Sequence, residues 1–324
     1  MTFSIERLQA IKTIISHETC ADGLASAMIL KAALPEAKLK FVKYNSEEHE
    51  KLEAEEGMIF CDFSPHPTRT QDFIDVGAIV LDHHAKEVVE PFGESGVFAD
   101  VKVEPGVSGA MLAYLHVYVP ILGENDVVGS FASICGIYDT WQTKHPLWEK
   151  SREYTEALFF LPKRDWLKEP IFPNFQSTWD SKMDIGRILV DKKNWTVKKA
   201  LEEAYRATVG PIKVIMVQDT TAINEIAEAA DPGVSIVAGF RYYLEDNSDR
   251  EDWCEGFAKN AKFKVSLRSR NNFNVRNIAL HYGGGGHEKA ASFVENVGHR
   301  HENPYRRIIE LICDYLMESD LGAS

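Results

Sequence analysis

The sequence predicts an α/β fold of two lobes: an N-terminal domain on a parallel sheet and a smaller C-terminal α/β domain, joined by a helical linker. Three observations predict it. Short apolar runs of strand length alternate with helical patterns from residue 11 onward, the order that builds parallel sheets flanked by helices. The alternation resumes after Pro211, so the pattern occurs twice. Between the two, residues 181–209 read as one long helix stopped by Gly210-Pro211. The expected division is 1–180, a linker over 181–210, and 211–324.

Each element follows from local pattern. Residues 11–17 form an apolar run that ends in a polar loop, and 22–34 suit a helix with Leu24, Met28, Ile29 and Leu30 as its apolar positions. Residues 39–44 read as a strand, and the charged EEHEKLEAEE that follows reads as an exposed helix. GMIFCDFS (57–64) and AIVLDHH (78–84) are strand-length runs that each end in Asp or His. VVGSFASICGIYDTW has helical periodicity with Asp139 late in it, whereas 141–180 is rich in Trp, Phe and Pro and follows no single period. Further on, 212–218, 234–243 and 263–269 read as strands, and 223–230 and 275–283 as helices. Four glycines and His287 come next, and a last helix covers about 303–318.

Composition narrows the classes. A chain of 324 residues with 44% hydrophobic and 26% charged residues is globular and long enough for two domains. Its formal net charge of -13 disfavours coating a long nucleic acid. Carboxylates that hold divalent cations toward a phosphate keep nucleotide chemistry open. Cys20, Cys61, Cys135, Cys254 and Cys313 are widely spaced and form no CxxC pair. With no signal-peptide layout and no run of membrane-spanning length, the expectation is a soluble, cytoplasmic protein with unpaired thiols and no membrane partner.

The chemistry concentrates at strand ends. Three expected strands finish in His17, in Asp62 and in Asp82-His83-His84. In open α/β sheets, ligands bind beyond the carboxyl ends of the strands, so these side chains converge. Asp22 lies five residues after His17 in a turn entering a helix, and Asp139 closes a helical pattern. Singly, each has a plain reading: Asp22 as a helix cap, Asp62 as a turn residue. Two adjacent histidines behind a carboxylate at a strand end are less common by chance. An oxygen- and imidazole-rich set suits manganese, iron or a similar divalent ion. Two such ions, about 3.5–4 Å apart, clamp a phosphate. In the C-terminal half, a glycine run exposes backbone N–H groups beside Arg268, Arg270 and His287, a composition that cradles phosphates.

Taken in order, HETCADG, CDFS, DHH, YDTW and GGGGHEKAAS resemble the DHH phosphoesterase superfamily with its DHH-associated C-terminal domain. That superfamily includes oligoribonucleases, phosphoadenosine-phosphate phosphatases, RecJ-like exonucleases, cyclic-dinucleotide phosphodiesterases and manganese pyrophosphatases. The glycine-His motif resembles the nuclease and phosphatase branch. The resemblance implies two lobes around a cleft and two divalent ions, Mn2+ first with Mg2+, Fe2+ or Co2+ as alternatives. It implies His17 and Asp62 as ligands of one ion, and Asp22, Asp62, His83 and Asp139 of the other. Asp82 would orient a histidine, and His84 would face the substrate phosphate or the attacking water, so that Asp62, Asp82, His83 and His84 form the catalytic group. Arg268, Gly284, Gly285, Gly286 and His287 would hold the substrate. The implied activity is metal-dependent hydrolysis of a short RNA or DNA oligonucleotide or a small phosphorylated nucleotide. Alternatives are a cyclic or linear dinucleotide phosphodiesterase and a nucleotide-binding sensor with reduced catalysis. One departure stands out. Many members carry two Asp residues in the first motif, and Cys20 stands where the first would be. A thiolate ligand and a small packed residue both suit that position, and the preference of manganese for oxygen and nitrogen favours the second.

Overall fold

The computed structural model describes residues 3–44, 46–84, 86–160, 175–218, 222–244, 261–271, 273–296 and 303–321. The chain forms two compact units, Met1–Val190 and Asp191–Ser324.

The first unit is built on five parallel strands, β1 (Thr13–Ser16), β2 (Lys38–Phe41), β3 (Met58–Cys61), β4 (Ile79–Asp82) and β5 (Gly96–Phe98), in the order β2-β1-β3-β4-β5. Every residue of β3 and β4 is buried, which explains why both read as continuous apolar runs rather than alternating ones. Side chains still alternate between two faces. Ile14, Ile59, Cys61, Ile79 and Leu81 enter one core layer, and Ile15, Met58, Phe60 and Val80 enter the other. β2 lies at the edge, and its KLKF alternates between exposed and half-buried positions, with lysines that discourage pairing with another chain. β5 is three residues long, too short to announce itself by pattern.

The Ala21–Ala33 helix is buried on nearly every side. Its Gly, Ala and Ser residues let the Gly109–Ala113 and Asp126–Asp139 helices pack against it in the first core layer. EEHEKLEAEE is helical only over Glu47–Glu50. His49 turns inward, with Nε2 2.9 Å from the Ser64 carbonyl, and Leu52 is buried; these two anchors break the run that charge alone suggested. Within 141–180, a helix spans Trp148–Phe160; 161–174 lie outside the described residues.

The second unit carries β6 (Tyr205–Val209), β7 (Ile212–Val217), β8 (Ile236–Leu244), β9 (Ala261–Ser269), β10 (Gly285–His287) and β11 (Ala290–Asn296), in the order β10-β11-β9-β8-β7-β6. Only the β7–β8 pair is parallel. The Val275–His281 and Pro304–Leu321 helices cover one face and the Ile223–Ala229 helix the other. The long helix expected over 181–209 is Phe175–Glu203. Residues 205–209, with aromatic and β-branched side chains, leave it and pair antiparallel with β7 from Tyr205↔Met216 to Val209↔Ile212. Gly210, at φ +57°, and Pro211 therefore turn a hairpin rather than stop a helix. Among the described residues, no helix is long and apolar enough to cross a membrane.

Candidate metal centre

Parallel register brings the ends of β1, β3 and β4 to one rim. The strand order reverses between β1 and β3, and ligands of doubly wound sheets bind at such a switch point. His17 follows β1, Asp62 follows β3, and Asp82 ends β4 with His83 and His84 after it. Cys20 caps the Ala21–Ala33 helix and Asp22 lies on its first turn, and Asp139 is the last residue of the Asp126–Asp139 helix. Asp62 adopts φ +53°, a left-handed conformation that short polar side chains tolerate. Its N–H still donates to the Leu81 carbonyl at 3.0 Å, so the kink aims the carboxylate without breaking the sheet.

Asp62, fully buried, lies between two sets of donors. Its Oδ2 is 3.0 Å from His17 Nε2 and 3.2 Å from Cys20 Sγ. Its Oδ1 is 3.0 Å from His83 Nε2, which is also 3.2 Å from Asp139 Oδ2. The ligand atoms of Asp22, His83 and Asp139 lie within 4.8 Å of one another, as do those of His17, Cys20 and Asp62. A divalent ion about 2.0–2.3 Å from each of several N, O or S donors needs neighbouring donors about 3–3.5 Å apart. The observed separations fit.

Asp82 has a different part. Its Oδ1 accepts from the backbone N–H groups of His83 (2.8 Å) and His84 (3.2 Å) and pairs with His84 Nδ1 at 2.7 Å. Its Oδ2 accepts from Ser64 Oγ and, at 3.4 Å, from the Tyr44 hydroxyl. With its lone pairs so occupied, it holds His84 and the loop in place.

The charges of this cluster are strongly interdependent. Burial, then Asp62 and Asp139, push the Asp22 carboxyl well above the usual carboxylate range. Burial works the same way on Asp62, but hydrogen bonds from His17 and His83 outweigh it and keep that carboxyl low. Burial disfavours charge on His83, yet Asp139 and Asp62 push it up to about 11. His84 reaches about 9, with burial opposed chiefly by Asp82. Carboxylates that repel each other while holding protons on imidazoles are a surplus of negative charge that a cation would neutralise.

Several groups here carry no signal in the motifs. Ser108 Oγ donates to Asp22 Oδ1 at 2.6 Å, and the Ala110 N–H donates to the same carboxylate at 3.2 Å. A Cβ on Gly109 would sit 2.3 Å from the Asp62 Cβ and 2.9 Å from Asp22 Oδ2, so only glycine fits between the two carboxylates. The signal available was a serine before small residues at a helix start, VSGA, which is too common to single out.

The glycine run sits in the second unit, and not all of its N–H groups are exposed as the composition suggested. Gly283 (φ +72°) and Gly284 close the Val275–His281 helix, their N–H groups donating to the Leu280 and Ala279 carbonyls at 3.1 and 2.7 Å. That is a Schellman cap, which consumes both amides. Gly285, Gly286 and exposed His287 form β10, the edge strand, paired with Ser292, Ala291 and Ala290. Arg268 lies on β9 opposite Ala290, and its guanidinium is held by Asn224 Oδ1 and the Leu267 carbonyl. Arg270 bonds the Ala230 carbonyl, at the C-terminal end of the helix that carries Asn224.

Residues 221–318 match the family model of the DHHA1 domain. No curated protein matches the chain by sequence. Among solved structures, a pGpG-specific phosphodiesterase, PggH from Vibrio cholerae, is similar at a TM-score of 0.59 and 14% identity, over 94% of this chain and 99% of that one. The DHH domain of a member of a ribosomal protein family is similar at a TM-score of 0.58 and 14% identity, over 97% of this chain and 87% of that one. At such identity the likeness speaks for the fold. The second unit thus carries the match to the DHHA1 domain, and the five-stranded parallel sheet that precedes it along the chain has Asp-His-His at the end of β4.

Proposed function

We propose that this chain is a divalent-metal-dependent phosphoesterase that hydrolyses short oligonucleotides or small phosphorylated nucleotides. One observation carries the reading: the two oxygens of Asp62 face different donor sets, Oδ2 toward His17 and Oδ1 toward His83. This is the disposition of a carboxylate that bridges two ions. His17 would hold one, and Asp22, His83 and Asp139 the other. Such ions supply charge neutralisation for a phosphoryl group and acidify a water.

The chain's own residues do the rest. Ser108 and the Ala110 N–H fix the Asp22 carboxylate, and Thr19 Oγ1, 2.6 Å from His17 Nδ1, turns that ring so that Nε2 meets Asp62. His84 has Nδ1 engaged by Asp82 and a side chain 38% exposed, which leaves Nε2 for a phosphoryl oxygen. In the second unit, Arg268, the Gly285-Gly286 edge and His287 are the groups that would bind nucleotide. The net charge of -13 argues for a small substrate over a long polymer. A second reading, a phosphodiesterase of linear or cyclic dinucleotides, draws on the likeness to a pGpG-specific enzyme.

The test is a substrate panel with manganese: short RNA and DNA, pGpG, a cyclic dinucleotide and adenosine bisphosphate, each with and without chelator. Chelator-sensitive release of mononucleotide or phosphate is expected from at least one. Nucleotide binding without turnover on the whole panel would replace the enzyme by a sensor.

A further inference from the structure

We infer that Cys20 is a metal ligand and that the two halves of the cluster select different ions. A thiophilic ion such as zinc would sit among His17, Cys20 and Asp62, and a harder ion such as manganese among Asp62, Asp22, His83 and Asp139. This rests on the binuclear reading above and adds the identity of its ions.

Cys20 Sγ, His17 Nε2 and Asp62 Oδ2 form a triangle with edges of 3.4, 3.2 and 3.0 Å. An ion about 2.3 Å from sulfur and about 2.0–2.1 Å from nitrogen and oxygen fits just above its plane. His17 and Asp62 are 5% and 0% exposed, so the thiol meets two buried polar atoms rather than apolar packing. Cys61 and Cys135 show the contrast, since both lie inside the first hydrophobic layer and Cys20 does not. The Gly23 N–H donates to Cys20 Sγ at 3.1 Å, at the head of a 13-residue helix. Cysteine is no preferred helix cap where Ser, Thr, Asp or Asn would serve. Gly23 also permits the approach: a Cβ there would lie 2.3 Å from the His17 carbonyl oxygen and 3.1 Å from its Nε2. On loading, the S–H bond breaks, a sulfur–metal bond forms and the proton leaves to solvent.

Sulfur sets the preference. Thiolate and imidazole with one carboxylate oxygen suit zinc, iron(II) or cobalt(II), whereas the carboxylate-rich half suits manganese or magnesium.

The test uses the metal-stripped full chain titrated with cobalt(II), together with elemental analysis after loading from an equimolar zinc and manganese mixture. The expected result is a near-ultraviolet thiolate-to-cobalt charge-transfer band, with one zinc and one manganese retained. Cys20→Ser should abolish the band and lower zinc affinity by more than about 100-fold, beyond what an outer partner costs, while keeping manganese. Cys20→Asp should exchange zinc for manganese at that position. Two bound cobalt ions without the band, or unchanged zinc affinity in Cys20→Ser, overturns the assignment while leaving the phosphoesterase reading intact. A band in a protein inert on the whole substrate panel upholds Cys20 and sinks that reading instead.

Discussion

The rim of the N-terminal sheet and the glycine hairpin of the C-terminal unit are built on opposite principles. At the rim, Asp22, Asp62 and Asp82 are fully buried, and each carboxylate is held by partners from distant parts of the chain. At the hairpin, His287 is exposed and Gly285 has open space where a side chain would be. Buried charge is costly unless it is paired, and at the rim the pairing is done by side chains and peptide groups of the fold itself. An exposed edge strand leaves peptide groups open to solvent, so the hairpin needs no such partners. The difference teaches how the fold divides its cost: positions are overdetermined where charge is buried, and left open where a backbone edge meets solvent.

The largest effect is expected at Asp62, whose two oxygens face both donor sets. Asp62→Ala should remove both ions and lower kcat by more than the roughly 10²–10³-fold that loss of one oriented donor costs, with little change in the far-ultraviolet circular dichroism. Wild-type metal content and turnover in that variant would end the rim's claim to the chemistry.

Acidity sharpens it next. In the metal-free protein, Asp139 and Asp62 hold a proton on His83 up to about pH 11. A cation must displace that proton, so affinity should rise with pH, by up to about tenfold per unit for each proton released. Manganese titrations by calorimetry at pH 6, 7 and 8 check this, and buffers of different ionisation heat count the protons. An affinity that is flat or falls with pH contradicts it.

A smaller effect belongs to the hairpin. His287→Ala should raise KM by about tenfold, the value of one hydrogen bond of about 1.4 kcal/mol to a charged group, and leave kcat within a factor of two or so. A loss confined to kcat would move His287 into the chemistry.

The smallest contrast separates two neighbouring glycines. A Cβ on Gly284 would lie 2.2 Å from the Ser292 carbonyl oxygen and 2.6 Å from the Phe293 Cβ, whereas one on Gly285 meets nothing within 4 Å. Gly284→Ala should cost about 1–3 kcal/mol of stability through overpacking, read by urea denaturation, and Gly285→Ala less than about 0.5 kcal/mol. Equal effects would mean that the run is uniformly loose rather than split between cap and edge.

Much of this was legible in the chain, for identifiable reasons. β3 and β4 stood out because strands buried on both faces are continuous apolar runs, and their polar ends marked the rim. The positions of His17, Asp62 and Asp82-His83-His84 at strand ends followed directly. The hairpin at 205–217 was hidden because a long helical pattern runs into it, and pairing with β7 overrides that local tendency. The glycines read as a phosphate loop because composition does not show which amides a preceding helix end will consume.

The sequence by itself determined which groups exist and in what order: two histidine-bearing strand ends, the carboxylates between them, and the thiol at the head of a helix. Tertiary structure alone decided that Ser108 and Ala110 hold Asp22 from 86 and 88 residues away. It also decided that Gly109 fits between two carboxylates, and that the oxygens of Asp62 turn to different partners. The reason is physical: strand and helix periods act over a few residues, whereas the satisfaction of a buried charge is settled by whatever the completed fold brings within about 3 Å of it.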